Sequence, residues 1–583
     1  MRYLRTLSNS FVAATIGTCY VLVLYLQLNP RLSVQPARLV PLVTTVGVFY
    51  AVHLTAVFYV VLVVRQLLAV SPFSPAWISV AVLAWLGAAA AAAGAALMWA
   101  NLRTFGIVLA PETAEAMTRG ALVLGLSAVL FAAVGIGRRA TGRSFHWAWA
   151  LSVVFIAVVS VAGPLLLRGP ARIQPLEARP LDTMTDLAPE ERGARVTLIA
   201  IDAGSLELIT RATGEGRLPN FGRILDAGAV MYLASLHPTS AEAVWSAVAT
   251  GKLPQKNGVR SAGTYHLPKG VETIRLLPDF CFANRLVRFG FLEEEPYTAM
   301  AILTRPFWSI LSLQGLTVGL SNWPLTYPAP TVRGFIVSDM YSRLALTTAG
   351  FDDRALLYPP ELREEVLPVM RAVTTDPSAV VPVRSDRVLD ERHQSAGRTD
   401  LLYDRVARML AERRPTQVTA IRYQSLDAIG HYFLRYAVPS AFGDVSELER
   451  NMLGSVLESH YAPIDDAIGR AIASLGADDL LLVVSGYGME PLGFGKRMLE
   501  RLIGDPEISG THEMAPDGFL MAYGASVSKG RLRRASVVDV VPTLLYFLGL
   551  PIGRDMDGYA RTDLFRTEFT GERPIAFIPT YDR

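Results

Sequence analysis

The sequence predicts an N-terminal all-α transmembrane bundle of about five helices, followed by an α/β domain with a parallel-rich sheet, helices on both faces and an inserted cap. Three observations carry this prediction. The 583-residue chain is 51% hydrophobic and only 18% charged, with a mean hydropathy of +0.32, too apolar for one soluble domain of this length. The charges are divided unevenly: residues 1–170 hold eleven Arg, no Lys and two acids, Glu112 and Glu115. From Arg195 onward, apolar runs of strand length alternate with helical periodicity, which argues for a parallel sheet covered by helices.

The bundle comes first. Apolar segments at residues 9–29, 40–64, 77–100, 120–137 and 145–167 each approach or exceed the ~20 residues that cross a bilayer, the fourth being short enough to lie at the interface. The alanine-rich run from Ala88 to Ala96 suits close helix packing. The first segment follows Arg2 and Arg5 and lacks a small-x-small cleavage site, so it reads as a retained anchor. An inside N-terminus puts Arg2, Arg5, Arg65, Arg138, Arg139 and Arg143 in the cytoplasm, against Arg31, Arg38, Arg103 and Arg119 outside. Five crossings in that sense place the C-terminal domain outside the cytoplasm, on a plasma or inner membrane. Only His53 and Arg65 are ionisable at plausible depth, which favours an anchor over a transporter.

Residues 1–170 form the anchor, 171–194 a linker and 195–575 the outer domain, with 255–415 as its cap. In that domain Val196 to Asp202 is a continuous apolar run ending in Asp-Ala-Gly, a strand buried on both faces. A helix spans Leu218 to Ala227 and stops at Gly228; a strand at Val230–Leu236 leads through His237-Pro-Thr-Ser240 into another helix. Further strands fall at Val418–Tyr423, Leu480–Ser485 and Phe519–Tyr523, and a closing helix at Val537–Leu548. Ligand sites of such sheets lie beyond the carboxyl ends of the strands, where Asp202, the Pro238–Ser240 loop, Asp427 and Ser485 would converge. The stretch 255–415 is rich in Pro and interrupts the alternation, as a cap over the site would; its Trp323, Tyr327 and Tyr341 suit either specificity or core. Of the 55 basic and 52 acidic residues, 44 and 50 lie beyond residue 170, so no basic stripe invites nucleic acid. Two cysteines, Cys19 and Cys281, make neither a disulfide framework nor a Cys-based metal site.

Several ordered motifs resemble the alkaline phosphatase superfamily, in its type I phosphodiesterase/nucleotide pyrophosphatase branch. They are the strand ending in Asp202, the Leu218-Pro-Asn-Phe helix start, Pro238-Thr-Ser-Ala-Glu-Ala-Val-Trp through Thr250-Gly-Lys252, Trp323-Pro-Leu-Thr-Tyr-Pro328, Asp427-x-x-x-His431, His512, and Asp539-Val-Val-Pro-Thr543 through Met556-Asp-Gly558. The resemblance implies a pair of divalent metals, usually zinc, beside a Ser or Thr nucleophile. Its first-metal ligands map onto Asp427, His431 and His512. Asp427 and His431 share a helix face as i, i+4, and two His plus one carboxylate is an open catalytic zinc set.

The second metal departs from the pattern. Asp202 is present, but the family's Asp-His pair reads Gly486-Tyr487, the nucleophile position is Ala241, and the His of its His-Gly-Ile reads Asn257. Ser240, next to the lost hydroxyl, is the replacement nucleophile to consider; Thr239 reads as a helix cap reciprocated by Glu242, and Glu490 and Glu513 as solvated acids. His266, His393 and His460 carry no motif and read as surface or structural residues.

Two functions follow. One is a membrane-anchored, extracytoplasmic, metal-dependent phosphodiesterase or phosphotransferase, a phosphoric ester hydrolase with a single-metal centre, most simply zinc, with Asp202 assisting. The other is a catalytically inactive domain, a pseudoenzyme, that binds without turnover. The layout is similar to lipoteichoic acid synthases and phosphoethanolamine transferases, which implies a bacterial envelope setting and a phosphorylated lipid or envelope glycan as substrate, beside the lipid bilayer itself.

Overall fold

Five helices open the chain: α1 (Arg2–Leu28), α2 (Pro36–Leu68), α3 (Val80–Thr104), α4 (Pro111–Ala140) and α5 (His146–Leu167). All five are long and apolar enough to cross a membrane, which makes this a multi-pass membrane protein. The structure is a computed structural model describing residues 2–68, 78–140, 146–168, 193–268, 270, 272–343, 353–376, 380, 382–383 and 387–582. Arg143 and all of the expected linker before residue 193 lie outside the described residues. The fourth segment corrects the sequence reading, because α4 is 30 residues long. Pro111 and Glu112 start it nine residues before the apolar run, where an acid suits the positive end of a helix.

Small residues set the helix packing. An added Cβ at Gly87 would meet the Phe131 ring at 3.1 Å, one at Gly94 would meet Tyr20 at 3.1 Å, and one at Gly135 would meet Trp85 at 3.0 Å. Tyr20 and Ser160 join hydroxyls at 2.9 Å. Arg168 caps the end of α1, donating to the carbonyls of Asn29 at 2.5 Å and Leu32 at 2.7 Å.

The compact unit built on these helices contains Met1–Glu177 together with Gly263–Pro296, a stretch that the sequence groups with the cap. Two asparagines fasten it. Asn29 donates to Leu276 O at 2.8 Å and accepts from the amides of Arg275 and Leu276 at 2.8 and 3.0 Å. Asn101 accepts from the amide of Asp279 at 2.7 Å and donates to its carbonyl at 3.1 Å. Leu276, Leu286 and Leu292 are buried in this unit.

The second unit, Ala178–Ala262 with Tyr297–Arg583, is α/β. Its elements begin with β1 (Val196–Ile201), α6 (Leu206–Gly214), α7 (Pro219–Ala227), β2 (Ala229–Ala234) and α8 (Ala241–Thr250). Proline at the first turn of α7 and Gly228 at its end mark the boundaries the sequence announces. In the ten-stranded sheet β1 lies between the Leu480–Tyr487 and Val418–Tyr423 strands and parallel to both. The sheet is mixed: the Asp517–Tyr523 strand is antiparallel to Leu480–Tyr487 and to β2, so β2 again points the same way as β1. Alternate residues of β1 feed two cores. Val196, Leu198 and Ala200 pack with α8 and the Val540–Phe547 helix, while Ile199 and Ile201 pack with α6, α7 and the Ser425–Ala437 and Ala462–Ser474 helices. Apolarity on both faces therefore has a direct cause, each large side chain contributing roughly 1.5–3 kcal/mol on burial. Trp323 and Tyr341 belong to cores, and His393 and His460 form a buried pair joined at 2.9 Å.

Candidate metal centre

The Ser425–Ala437 helix follows the Val418–Tyr423 strand directly and begins under Asp400, whose carboxylate accepts the amides of Gln424 at 2.9 Å and Ser425 at 3.1 Å. That cap fixes the first turn, so Asp427 and His431 share a face. His512 arrives from a different direction. The Glu490–Pro491 and Gly510–Thr511 strands pair with each other, and the amide of Ser509 donates to His431 O at 2.7 Å.

The three side chains meet. His431 Nε2 is 3.8 Å from Asp427 Oδ2 and His512 Nε2 is 3.7 Å from Asp427 Oδ1. Their outer nitrogens are occupied: Nδ1 of His431 lies 2.9 Å from Gly510 O, and Nδ1 of His512 lies 3.3 Å from Thr239 O. A carbonyl only accepts, so each Nδ1 carries a proton while each Nε2 faces Asp427. Carbonyl partners of this kind orient metal-ligating histidines. Asp427 Oδ1 is buried with no hydrogen-bond partner. Among the described residues, Asp427, His431 and His512 are the group whose ligand atoms, all within 4.8 Å of one another, could hold a metal ion. The donor set fits a divalent ion.

Asp202 stands at the end of β1, one residue past Ile201, which is in register with Ser485 and Tyr423. It is 4% exposed. Trp245 of α8 donates its indole N–H to Oδ1 at 2.6 Å, and Arg422 Nη1 lies 3.5 Å from Oδ2. Burial pushes the Asp202 carboxyl up to about 7, against the downward pull of Arg422. Ser485 is a turn-builder, accepting from the Gly204 amide at 3.0 Å and donating to Tyr487 O at 2.9 Å.

The remaining positions of a second metal site do not fit one. Ala241 offers no ligand atom. Tyr487 is fully buried, and burial drives its phenol well above its ordinary range. At Gly486 an added Cβ would lie 2.5 Å from Val244 Cγ1, so α8 occupies the space an aspartate needs. Asn257 serves its own loop, donating to Lys252 O at 2.8 Å and accepting from the Val259 amide at 2.9 Å. Glu513 pairs with Lys496.

The helix cap corrects the sequence reading. Ser240, not Thr239, is the N-cap of α8 and accepts from the Ala243 amide at 3.3 Å. Thr239 instead donates its hydroxyl to Leu236 O at 2.7 Å, because the helix begins one residue later than the capping-box spacing implies. The Ser240 hydroxyl donates to Glu242 Oε2 at 3.3 Å, and burial raises the Glu242 carboxyl. The backbone of this loop is tied to the His512 loop, with the Thr239 amide donating to Glu513 O at 3.1 Å. Sequence reasoning misses Arg422 and the Glu242 contact. Arg422 had a signal: it interrupts the inward-facing series Val418, Ala420 of a strand otherwise apolar on that face.

Solved structures similar to this chain include murine ectonucleotide pyrophosphatase/phosphodiesterase 5, both alone and as an inactive variant in complex with AMP, and the human protein of the same name. Each has 12% sequence identity and a TM-score of 0.36, covering 64% of this chain and 100% of the other. No curated protein matches the sequence. The sequence model of type I phosphodiesterase/nucleotide pyrophosphatase matches residues 196–540, more than half of the chain and the whole of the metal-centre region, and the chain belongs to that family.

Proposed function

We propose that this protein is a membrane-anchored phosphodiesterase or phosphotransferase with a single-metal centre at Asp427, His431 and His512, its N-terminus cytoplasmic and its α/β domain extracytoplasmic. The observation that carries this reading is the convergence of two Nε2 atoms on one carboxylate, with both Nδ1 atoms held by carbonyls. A divalent ion held there, zinc by its donor set, supplies Lewis acidity toward a phosphoryl oxygen. The chain's own residues supply the rest. Ser240 presents a hydroxyl at the N-terminus of α8, and its proton has an acceptor in Glu242 Oε2 at 3.3 Å, an arrangement of nucleophile and base. A phosphorylated lipid or envelope glycan is the proposed substrate. The helix Phe494–Ile503, between Glu490 and His512, leaves Phe494, Met498 and Leu502 exposed at i, i+4, i+8, an apolar stripe suited to a lipid-borne one.

A second reading has a specific observation behind it. Ala241 in place of the hydroxyl residue and Val244 over Gly486 describe a domain that binds without turning over. Ser240→Gly separates the two readings, because Gly caps helices within a few tenths of a kcal/mol of Ser. Hydrolysis of bis(p-nitrophenyl) phosphate by the full chain in detergent is expected to disappear in both Ser240→Gly and His512→Ala. Equal turnover in Ser240→Gly removes Ser240 as nucleophile; no turnover by the metal-loaded wild type favours the binder.

A further inference from the structure

Asp202 and its neighbours would form a costly cluster if nothing balanced them. Taking a carboxylate out of water is unfavourable unless it is paired and hydrogen-bonded. In the family pattern a second metal ion does that balancing, and here Ala241 and Gly486 supply no ligand while Val244 fills the space beside Gly486. Yet Asp202 remains, with one oxygen fixed by Trp245 at 2.6 Å.

The other oxygen faces the Arg422 guanidinium at 3.5 Å. Arg422 is itself buried, 8% exposed. Its Nη2 donates to Gln424 Oε1 at 2.5 Å, and its Nε is buried with no hydrogen-bond partner. Asp202, Asp339, Tyr487 and Glu242 are the groups whose fields act on it, and they hold it protonated against the cost of its burial. Asp339 is anchored separately, accepting the amides of Leu325 at 3.1 Å and Thr326 at 3.3 Å. A guanidinium cannot lose its charge at any ordinary pH. It is therefore a permanent cation, delivered by the strand next to β1.

We propose that the Arg422 guanidinium stands in place of the second metal ion, so that Asp202 is an ion-pair partner and the centre takes one divalent ion only. This rests on the reading of Asp427, His431 and His512 as a metal centre. Arg422 acts as a positioning residue: its guanidinium faces Asp202 and holds that side chain in place without a second ion.

The test is zinc stoichiometry of the full-length protein in detergent, by elemental analysis after equilibration with excess zinc and gel filtration. One equivalent is expected, lost in His512→Ala and kept in Asp202→Asn. Arg422→Ala, which uncovers the acidic cluster, is expected to take up a second, weaker equivalent and to gain thermal stability on adding zinc beyond the first. Two equivalents in the wild type overturn the proposal while leaving the metal-centre reading intact. No equivalent at all removes the metal-centre reading and this proposal with it. An Arg422→Ala protein that folds but stays at one equivalent also overturns it, since the vacated place would then not be a cation site. Should that variant fail to fold, the wild-type and Asp202→Asn stoichiometries decide: a metal lost in Asp202→Asn means Asp202 is a ligand, contrary to the proposal.

Discussion

Gly486→Ala isolates the packing of the Leu480–Tyr487 strand against α8. Its backbone is extended, with no positive φ, where Gly→Ala normally stabilises by about 0.4–1 kcal/mol through the unfolded chain. The added Cβ, however, would lie 2.5 Å from Val244 Cγ1, more than 1 Å inside the ~3.5–4.0 Å optimum for carbon atoms. Val244 is fully buried on α8, so relieving the overlap forces an off-rotamer side chain or a backbone shift, at about 1–3 kcal/mol. The substitution is therefore expected to destabilise by about 0.5–2 kcal/mol, opposite in sign to an ordinary Gly→Ala change. In a Val244→Ala background the opposing methyl is gone, and the same substitution should be neutral or stabilising, giving a coupling of about 1–3 kcal/mol. Urea titration of the full chain in detergent, followed by tryptophan fluorescence, reads the four corners of the cycle. Equal cost in both backgrounds, or a stabilised Gly486→Ala single variant, would refute the reasoning. If the cycle behaves as expected, a side chain as large as an aspartate is not accommodated at this position while Val244 is in place.

Other outcomes follow from the same structure. Burial pushes the Asp400 carboxyl up to about 6, from an ordinary value near 3.9, so the folded state keeps a proton that the unfolded chain has released between about pH 4 and 6. The Asp400 contribution to stability then falls across that window, by on the order of 2–3 kcal/mol, and is constant above it. Asp400→Asn does not titrate and should gain on the wild type as pH rises from 4 to 6; a melting-temperature difference constant with pH would contradict this. Asn29→Ala and Asn101→Ala each strand backbone groups of the 263–296 segment, at about 1–3 kcal/mol, and should raise amide exchange at Leu276 or Asp279 respectively; unchanged exchange would count against the fastening role. Lys252, 4% exposed at its side chain, pairs with Asp555 at 2.5 Å and Asp582 at 2.6 Å. Lys252→Met should destabilise toward the lower end of the ~3–5 kcal/mol for breaking a buried pair, since both carboxylates retain some solvent, and a denaturation midpoint within error of wild type would exclude it.

Much of the fold is written in local pattern. The Val418–Tyr423 strand begins and ends where its β-branched and aromatic run does, because strand boundaries here coincide with a change from apolar to polar residues. The Asp427–His431 pair is legible for the same reason, an i, i+4 spacing on one helix. His512 is legible only through resemblance, since its position depends on the pairing of Glu490–Pro491 with Gly510–Thr511. The antiparallel course of Asp517–Tyr523 is not encoded by its own residues, which would read alike in either direction. Arg422 was hidden because its meaning depends on Asp202, more than two hundred residues away, which no local period reports. The full extent of α4 is not legible from hydropathy because its first turns are polar.

The placement of Gly263–Pro296 with the N-terminal helices means the chain passes between its two units three times, after residues 177, 262 and 296. A protease that nicked the chain once between residues 169 and 192 would leave the two units still joined by covalent bonds, at 262–263 and 296–297. Release of a free α/β unit thus needs three cuts or a gene that omits the middle excursion. A truncation beginning near residue 193 would carry Leu276, Leu286 and Leu292 into solvent without the helices that bury them, a recipe for aggregation in the test tube. Any activity of this protein is in that sense an activity of the whole chain.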